Sequence, residues 1–360
     1  MVMENVTDIL SLPKSNSTTI ETSPLDPEYI SYYNVRLFSM VSLSITFLLG
    51  TSGNGFVIGI CTFKLTKTVN VIWFLNLAIA DFIFDFFLPL HIVSKAMDGY
   101  WPFGGFLCKI SNMVLYLNML ASISFLVVIS IDRCISVVCP FWSRKHRRPS
   151  LAWKVAFVTW MFSVIVSSPY PAFYDTVDFL EDNDTFCFVS YAVPFEDFSE
   201  KAFDIIRMRH RVMIITRLVT MFIVPFIIII ICYGLIAVKI RQRPCHRTSS
   251  RPFRIIITIL VLFFICWCPF HSLPLLHFRG NLPWSHTFYL LAEALASSLA
   301  YFNSCLNPIL YFFMGRDFKD MFRRSILSVF ERAFNEEQTL ATLDTRSPPK
   351  SSSEVESCML

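Results

Sequence analysis

The chain has 360 residues, 54% of them hydrophobic and only 16% charged, with a mean hydropathy of +0.54. That balance excludes an ordinary soluble domain. The net charge of +4 says little by itself, whereas the placement of the charges says more; no nucleic-acid partner is expected.

Residues 1–35 are polar and slightly acidic and read as an N-terminal tail. Met1 to Pro13 has no basic start and no long apolar core, so it does not read as a cleavable signal peptide. Asn5-Val-Thr and Asn16-Ser-Thr are glycosylation acceptors if this end is extracellular. Seven apolar runs follow, near 37–63, 71–96, 106–138, 151–173, 212–240, 253–278 and 286–313. A bilayer needs about 20 mainly apolar residues per helix, and these runs are too long for barrel strands. The predicted fold is therefore an all-α membrane protein. It is a seven-transmembrane helix bundle over 36–314, with a short amphipathic helix over 315–333 and a disordered cytoplasmic tail over 334–360.

Basic residues cluster in alternate connections. They are Lys64 and Lys67; Arg144, Lys145, Arg147 and Arg148; Arg241, Arg243, Arg247 and Arg251; and Arg316, Lys319, Arg323 and Arg324. Positive charge marks the cytosolic side. The N-terminus and the acid-rich 174–211 connection then lie outside, the C-terminus lies inside, and Asn183-Asp-Thr becomes a third extracellular acceptor. This is the topology of a multi-pass plasma-membrane protein.

Along the runs, polar residues stand out. Asp81 is a carboxylate at mid-membrane, where insertion costs about 2.5–3.5 kcal/mol. It should face the bundle, with Asn54, Asn118, Ser122, Asn303 and Asn307 as candidate partners, either in a purely structural role or as a hydrated ion pocket. Most of the 11 cysteines sit singly inside apolar runs and read as small buried thiols. Cys108 opens the third run and Cys187 lies in the long outer connection; a bond between them in an oxidising compartment would tie that connection over the bundle. Asp132-Arg133 ends the third run on the inner side. Arg133 could pair with Asp132 in one state and reach another partner in a second. In the fifth run Arg217 lies two turns outside Pro225, a depth at which a cation either snorkels outward or meets an acid in a wet cavity.

Pro225 with Tyr233 in the fifth run, Trp267 with Pro269 in the sixth, and Pro308 in the seventh align bulky rings with helix breaks, which suggests hinges. Asn303, Asn307 and Tyr311 recur every four residues, so they share a face that must meet other helices. Phe318 and Phe322, flanked by Lys319, Arg323 and Arg324, form the apolar side of the surface helix. Beyond residue 335 the chain is polar and rich in Ser and Thr. Thr339, Thr342, Thr345, Ser347, Ser351, Ser352 and Ser353 are candidate phosphorylation sites. The Ser-Cys-Met-Leu end is not a prenylation motif.

The set Gly53-Asn54, Leu75 to Asp81, Cys108, Asp132-Arg133-Cys134, Trp160, Pro225 with Tyr233, Cys266 to Pro269 and Asn307-Pro308-Ile-Leu-Tyr311 resembles rhodopsin-like G-protein-coupled receptors over about residues 35–330. Thr68 to Ala78, Trp101-Pro-Phe-Gly, Ser249 to Arg254 and Phe312 to Phe318 are similar to its chemoattractant branch, the chemerin and formyl-peptide receptors. Lys109 to Asn112, Asp132 to Val137 and Met359-Leu360 lean toward the chemerin-receptor-like member, and Lys95-Ala-Met with Gly99 is shared with the formyl-peptide receptors.

The resemblance implies a receptor, not an enzyme. Its ligand would be an extracellular chemoattractant peptide or protein of chemerin type, and its output inhibitory-class heterotrimeric G proteins that drive chemotaxis and inflammatory signalling. A formyl-peptide or lipid-mediator receptor, or a weakly signalling scavenger, stands as the alternative. Receptor kinases, arrestin and membrane lipid are the further partners. No cofactor is implied beyond an allosteric sodium ion held by Asp81, Asn118, Ser122, Asn303 and Asn307.

By the same resemblance Asp132, Arg133, Trp267, Pro269, Tyr233, Pro308 and Tyr311 form the switch. Arg217, Asn112, Tyr116, His271, Glu293 and Tyr174 line the ligand pocket, with Arg217 matching an arginine that the branch uses at that place. Two departures bear on these roles. The start of the sixth run, Arg247 to Arg254, lacks the acid that locks Arg133 in some relatives, and Tyr174 stands where an arginine is expected. A transporter is disfavoured because no internal repeat appears and Asp81 reads as the single mid-membrane acid. A membrane enzyme is disfavoured because His91, His271 and His277 lack metal-type spacing.

Overall fold

The computed structural model describes residues 27–179, 184–189, 200–242, 251–278 and 285–314. Residues 1–309 form one compact unit; the chain from Leu310 onward clusters apart, and only its first five residues, the end of the last helix, are described. The helices are α1 (Pro27–Phe63), α2 (Val69–Ala96), α3 (Gly104–Val138), α4 (Pro140–His146), α5 (Pro149–Ser167), α6 (Glu200–Leu218), α7 (Val224–Arg241), α8 (Arg251–Phe278) and α9 (His286–Met314). A π-helical turn, Val219–Ile223, joins α6 to α7, so the two form one continuous segment. Apart from the short α4, this makes seven membrane-length helical segments among the described residues, as expected.

The chemistry of the helix faces fits a lipid environment. Phe157, Phe162 and Ile165 of α5 expose large apolar surface, while Ala156, Thr159 and Ser163 of the same helix are buried. Small residues thus face the bundle and large ones face outward, the pattern expected where lipid is the solvent. At the crossing of α1 and α9, a Cβ added to Gly53 would lie 2.9 Å from Pro308 Cβ, so glycine permits that approach. Trp160 on α5 donates through Nε1 to Asn76 Oδ1 on α2 at 2.9 Å and packs edge-on against Phe125 of α3.

On the outer side, β1 (Tyr174–Phe179) and β2 (Asp184–Val189) form an antiparallel hairpin with Thr176 opposite Cys187. Cys187 is bonded to Cys108 at the start of α3, which fixes the hairpin over the bundle as expected. The Trp101-Pro-Phe-Gly turn supports it. Buried Trp101 donates its backbone N–H to Thr185 O at 2.7 Å and its indole N–H to Gly104 O at 3.0 Å.

Two boundaries differ from expectation. α1 begins at Pro27, ten residues before the apolar run, and the fifth segment begins at Glu200 rather than near residue 212. Hydropathy ends where charged residues begin, but helix propensity does not. Glu200 to Arg211 is rich in helix-forming charged residues, including the i,i+3 pair Arg207–Asp204 at 2.6 Å. The three glycosylation acceptors, the surface helix over 315–333 and every candidate phosphorylation site lie outside the described residues.

Candidate functional site

Three polar constellations run down the bundle. The outermost lies beneath the hairpin. Tyr116 of α3 stacks on Tyr170 with ring centroids 3.8 Å apart, and its hydroxyl meets that of Tyr174 at 3.1 Å. Asn112, one turn further out, donates to Cys108 O at 2.9 Å and lies 3.5 Å from Cys187 Sγ. Across from these, the Arg217 guanidinium sits 4.8 Å from the Phe270 ring centroid, a cation–π arrangement. Arg217 is within electrostatic reach of Tyr170 and His271, which joins the two halves of the site.

Arg217 Nε is buried with no protein partner, and so are both ring nitrogens of His271, a residue only 2% exposed. Below them His271 packs on Phe222 at 5.3 Å and on Trp267 at 6.3 Å. A neutral imidazole has one donor and one acceptor nitrogen, so the buried donors that an anion entering from above could meet are Arg217 Nε and one His271 N–H. Glu293 lies on an exposed face of α9, within electrostatic reach of Tyr289 and Tyr301.

The middle constellation surrounds Asp81, which is fully buried. It accepts from Ser122 Oγ at 3.2 Å and from Asn307 Nδ2 at 2.7 Å. In the amide orientation that satisfies both of its ends, Asn118 donates to Asp81 Oδ1 at 3.1 Å. Asn303 is buried nearby in sequence, but no bond joins it to Asp81 among the described residues. The expected Asn54–Asp81 contact is replaced by another. Asn54 donates to Asp85 Oδ2 at 3.1 Å and to Ser304 O at 3.0 Å. Asp85 is itself fully buried, so Asp81 is not the single mid-membrane acid. The signal was present: Asp85 follows Asp81 by four residues and therefore shares its helix face, but the surrounding Phe-rich run hid it.

In the innermost constellation Arg133 has a partner other than Asp132. Arg147, from the connection after α4, grips both Asp132 oxygens, Nε to Oδ1 at 2.9 Å and Nη2 to Oδ2 at 3.0 Å. Adjacent residues on a helix point about 100° apart, so Asp132 faces α4 while Arg133 faces the bundle. Arg133 donates instead to Asn70 Oδ1, which also accepts from Arg147. Tyr233 packs against the Cys134, Cys232 and Ile236 cluster, with its hydroxyl by Ser130 and Arg133. Trp267 is 1% exposed, with Phe263 at 6.0 Å and Phe270 at 5.6 Å. Pro269 and Pro308 lie inside α8 and α9. The side chain of Tyr311 lies outside the described residues.

Comparison with known proteins agrees with this architecture. The family described as 7 transmembrane receptor (rhodopsin family) matches residues 53–311. The chain is 44% identical to chemerin-like receptor 1 of Homo sapiens over 306 residues, covering 84% of this chain and 81% of that one. It is 41% identical to formyl peptide receptor 2 of Mus musculus over 326 residues, covering 87% and 90% respectively. With N-formyl peptide receptor 3 of Homo sapiens it shares 37% identity over 344 residues, covering 93% and 97%. These matches are to receptors rather than enzymes, and the chain belongs to the rhodopsin family of seven-transmembrane receptors.

Proposed function

We propose that the protein is a chemoattractant receptor whose agonist is a peptide or protein with a free C-terminal carboxylate, bound between Arg217 and His271. It signals through heterotrimeric G proteins, as its family does. The observation that carries the ligand reading is the pair of buried N–H donors without protein partners, that of Arg217 Nε and one on the His271 ring, beneath the tethered hairpin. A guanidinium binds a carboxylate through paired N–H groups, and Phe270 beneath it holds the charge in place. Tyr116, Tyr170, Tyr174 and Asn112 form the opposite wall, and Glu293 at the rim favours a basic residue further along the peptide.

The charge pattern supports an extracellular N-terminus and a cytosolic C-terminus. Asn5, Asn16 and Asn183 are then glycosylation sites. The Ser and Thr residues from Thr339 to Ser353 are targets of receptor kinases that recruit arrestin, and Phe318 with Phe322 anchors the surface helix in lipid. The inhibitory class of G protein is the coupling partner by analogy with chemoattractant relatives.

The Asp81 carboxylate is held by neutral donors alone, from Ser122, Asn307 and Asn118, so a sodium ion fits it as counter-charge. Bound there, sodium would supply positive charge, while Ser122, Asn118 and Asn307 fix the carboxylate.

The test is a cycle on the receptor and its ligand. Chemerin-type C-terminal peptides, with free acid or amidated ends, are applied to wild type and Arg217→Ala, and activation is read as nucleotide exchange. Each single change should weaken potency by roughly a hundredfold, and the combination should cost little more than either alone. Fully additive losses would show that Arg217 and the carboxylate do not meet.

A further inference from the structure

Asp85 has no role in the sites described above, yet it is among the most protected charges in the molecule. It is fully buried in α2, one turn further out than Asp81 on the same helix face. α1 is shaped around it: a Cβ added to buried Gly50 would overlap the Asp85 carboxylate. Its two oxygens accept from neutral donors, Oδ2 from Asn54 Nδ2 at 3.1 Å and Oδ1 from Ser304 Oγ at 2.6 Å. Among the described residues, the titratable group packed close to it besides Asp81 is the Cys305 thiol, which is turned onto Thr46 O. Among the described residues no lysine, arginine or histidine bonds to either acid. Two carboxylates one turn apart in a sealed bundle therefore lack counter-charge, a costly arrangement in lipid.

A second observation points to an occupant. Asn54 is also fully buried, and its Nδ2 is held between Asp85 Oδ2 and Ser304 O. Both neighbours are acceptors, so the amide cannot turn over without setting oxygen against oxygen. Its Oδ1, on the same amide whose nitrogen bonds Asp85, has no partner. A protonated Asp85 could donate a hydrogen bond to Ser304 Oγ, whose own hydrogen would then turn to Tyr301 O at 2.9 Å, but it would leave Asn54 Oδ1 unmet. A cation meets both needs.

We propose that Asp85 and Asn54 Oδ1 form a second monovalent-cation subsite, separate from the pocket at Asp81. The ligand chemistry is hard oxygen with a single carboxylate charge, which suits sodium better than a transition metal or a divalent ion. The bundle then carries one cation per buried acid.

Equilibrium binding of radioactive sodium to the purified full-length receptor, counted per receptor, tests this. Wild type should bind two ions, Asp85→Asn one, and Asp81→Asn one. Asparagine keeps the neutral hydrogen bonds to Asn54 and Ser304, so the Asp85 variant is designed to fold. Should it not, Asp81→Asn decides alone: one remaining ion supports the subsite and none overturns it. A wild-type count of one that Asp85→Asn leaves unchanged also overturns it, with Asp85 then carrying a proton. If Asp81→Asn removes that ion, the Asp81 pocket stands while the Asp85 subsite falls.

Discussion

At the scale of single residues, the inner mouth shows how one loop arginine changes what its neighbours can do. Arg147 holds both oxygens of Asp132 in parallel hydrogen bonds, so Asp132 is not available to Arg133. The charge-pattern reading used Arg147 only to orient the chain, because side-chain pairing between a helix end and a loop leaves no periodic trace in sequence. We predict that Arg147→Ala frees Asp132 to compete for Arg133 and lowers agonist-stimulated nucleotide exchange. Adding Asp132→Asn should restore it, because the competitor is gone. A half-buried bidentate pair of this kind is worth about 1–2 kcal/mol, so the loss should be roughly five- to thirtyfold. Arg133→Ala should abolish exchange while leaving ligand binding largely intact. Exchange that stays low in the Arg147→Ala, Asp132→Asn double variant would argue that Arg147 itself contacts the G protein.

Gly50 offers a second residue-scale test, of stability rather than signalling. A methyl group there would overlap the Asp85 carboxylate, which is already fixed by Asn54 and Ser304. Gly50→Ala should therefore destabilise the receptor by about 1–3 kcal/mol despite the better helix propensity of alanine. The combination with Asp85→Ala should recover most of that loss, as thermal unfolding in detergent would report. Equal melting temperatures for wild type and Gly50→Ala would mean that the two helices slide apart at no cost.

At the scale of elements, the sequence is most legible where lipid does the sorting. Seven runs and their proline positions can be read directly, because hydrocarbon demands continuous apolar helices. Legibility fails where that demand ends. The charged turns from Glu200 to Arg211 extend the fifth segment, and the π-helical turn at Val219–Ile223 lies hidden inside a uniformly apolar stretch. Pro225 follows it closely; a proline removes a backbone hydrogen bond, and an extra residue per turn is one way to accommodate the gap.

The hairpin is a further case. No apolar period announces β1 and β2, yet the disulfide to Cys108 and the Trp101 backbone bond to Thr185 hold them in one place. The bond spans 79 residues, which sets a loop-entropy contribution of about 4–5 kcal/mol in the chain-constraint picture. Paired replacement of Cys108 and Cys187 by serine should lower thermal stability by a few kcal/mol and weaken peptide affinity more than tenfold. The second effect follows because Tyr174, in the hairpin, forms one wall of the proposed ligand site through its contact with Tyr116. Unchanged affinity in the paired variant would place the ligand elsewhere.

At the scale of the whole molecule, the three constellations form a column through one bundle. The outer site ends on Trp267 and His271, the middle one on Asp81 and Asn307, and the inner one on Arg133 and Tyr233. Proline interrupts α8 and α9 at the heights where these sites adjoin, at Pro269 and Pro308. A change of packing at one level must therefore be accommodated at the next, since a close-packed interior transmits displacement rather than absorbing it. The bonds from Ser122 on α3 and Asn307 on α9 to Asp81 on α2 tie three helices in the arrangement described here. The cation proposed for this pocket would stabilise that arrangement and oppose any rearrangement that separates the helices.

Linkage then fixes the sign of the effect: an ion that prefers one state lowers the apparent affinity of a ligand that prefers the other. Replacing choline by sodium at constant ionic strength should weaken agonist binding by about three- to tenfold, a coupling of roughly 0.7–1.4 kcal/mol. Antagonist binding should move little or in the opposite direction. Asp81→Asn keeps the hydrogen-bonding shape but removes the charge, so it should remove the share of the sodium sensitivity that the Asp81 pocket carries, and any share left in that variant belongs to Asp85. An agonist affinity that falls equally in sodium for wild type and Asp81→Asn would assign that carboxylate a purely structural role.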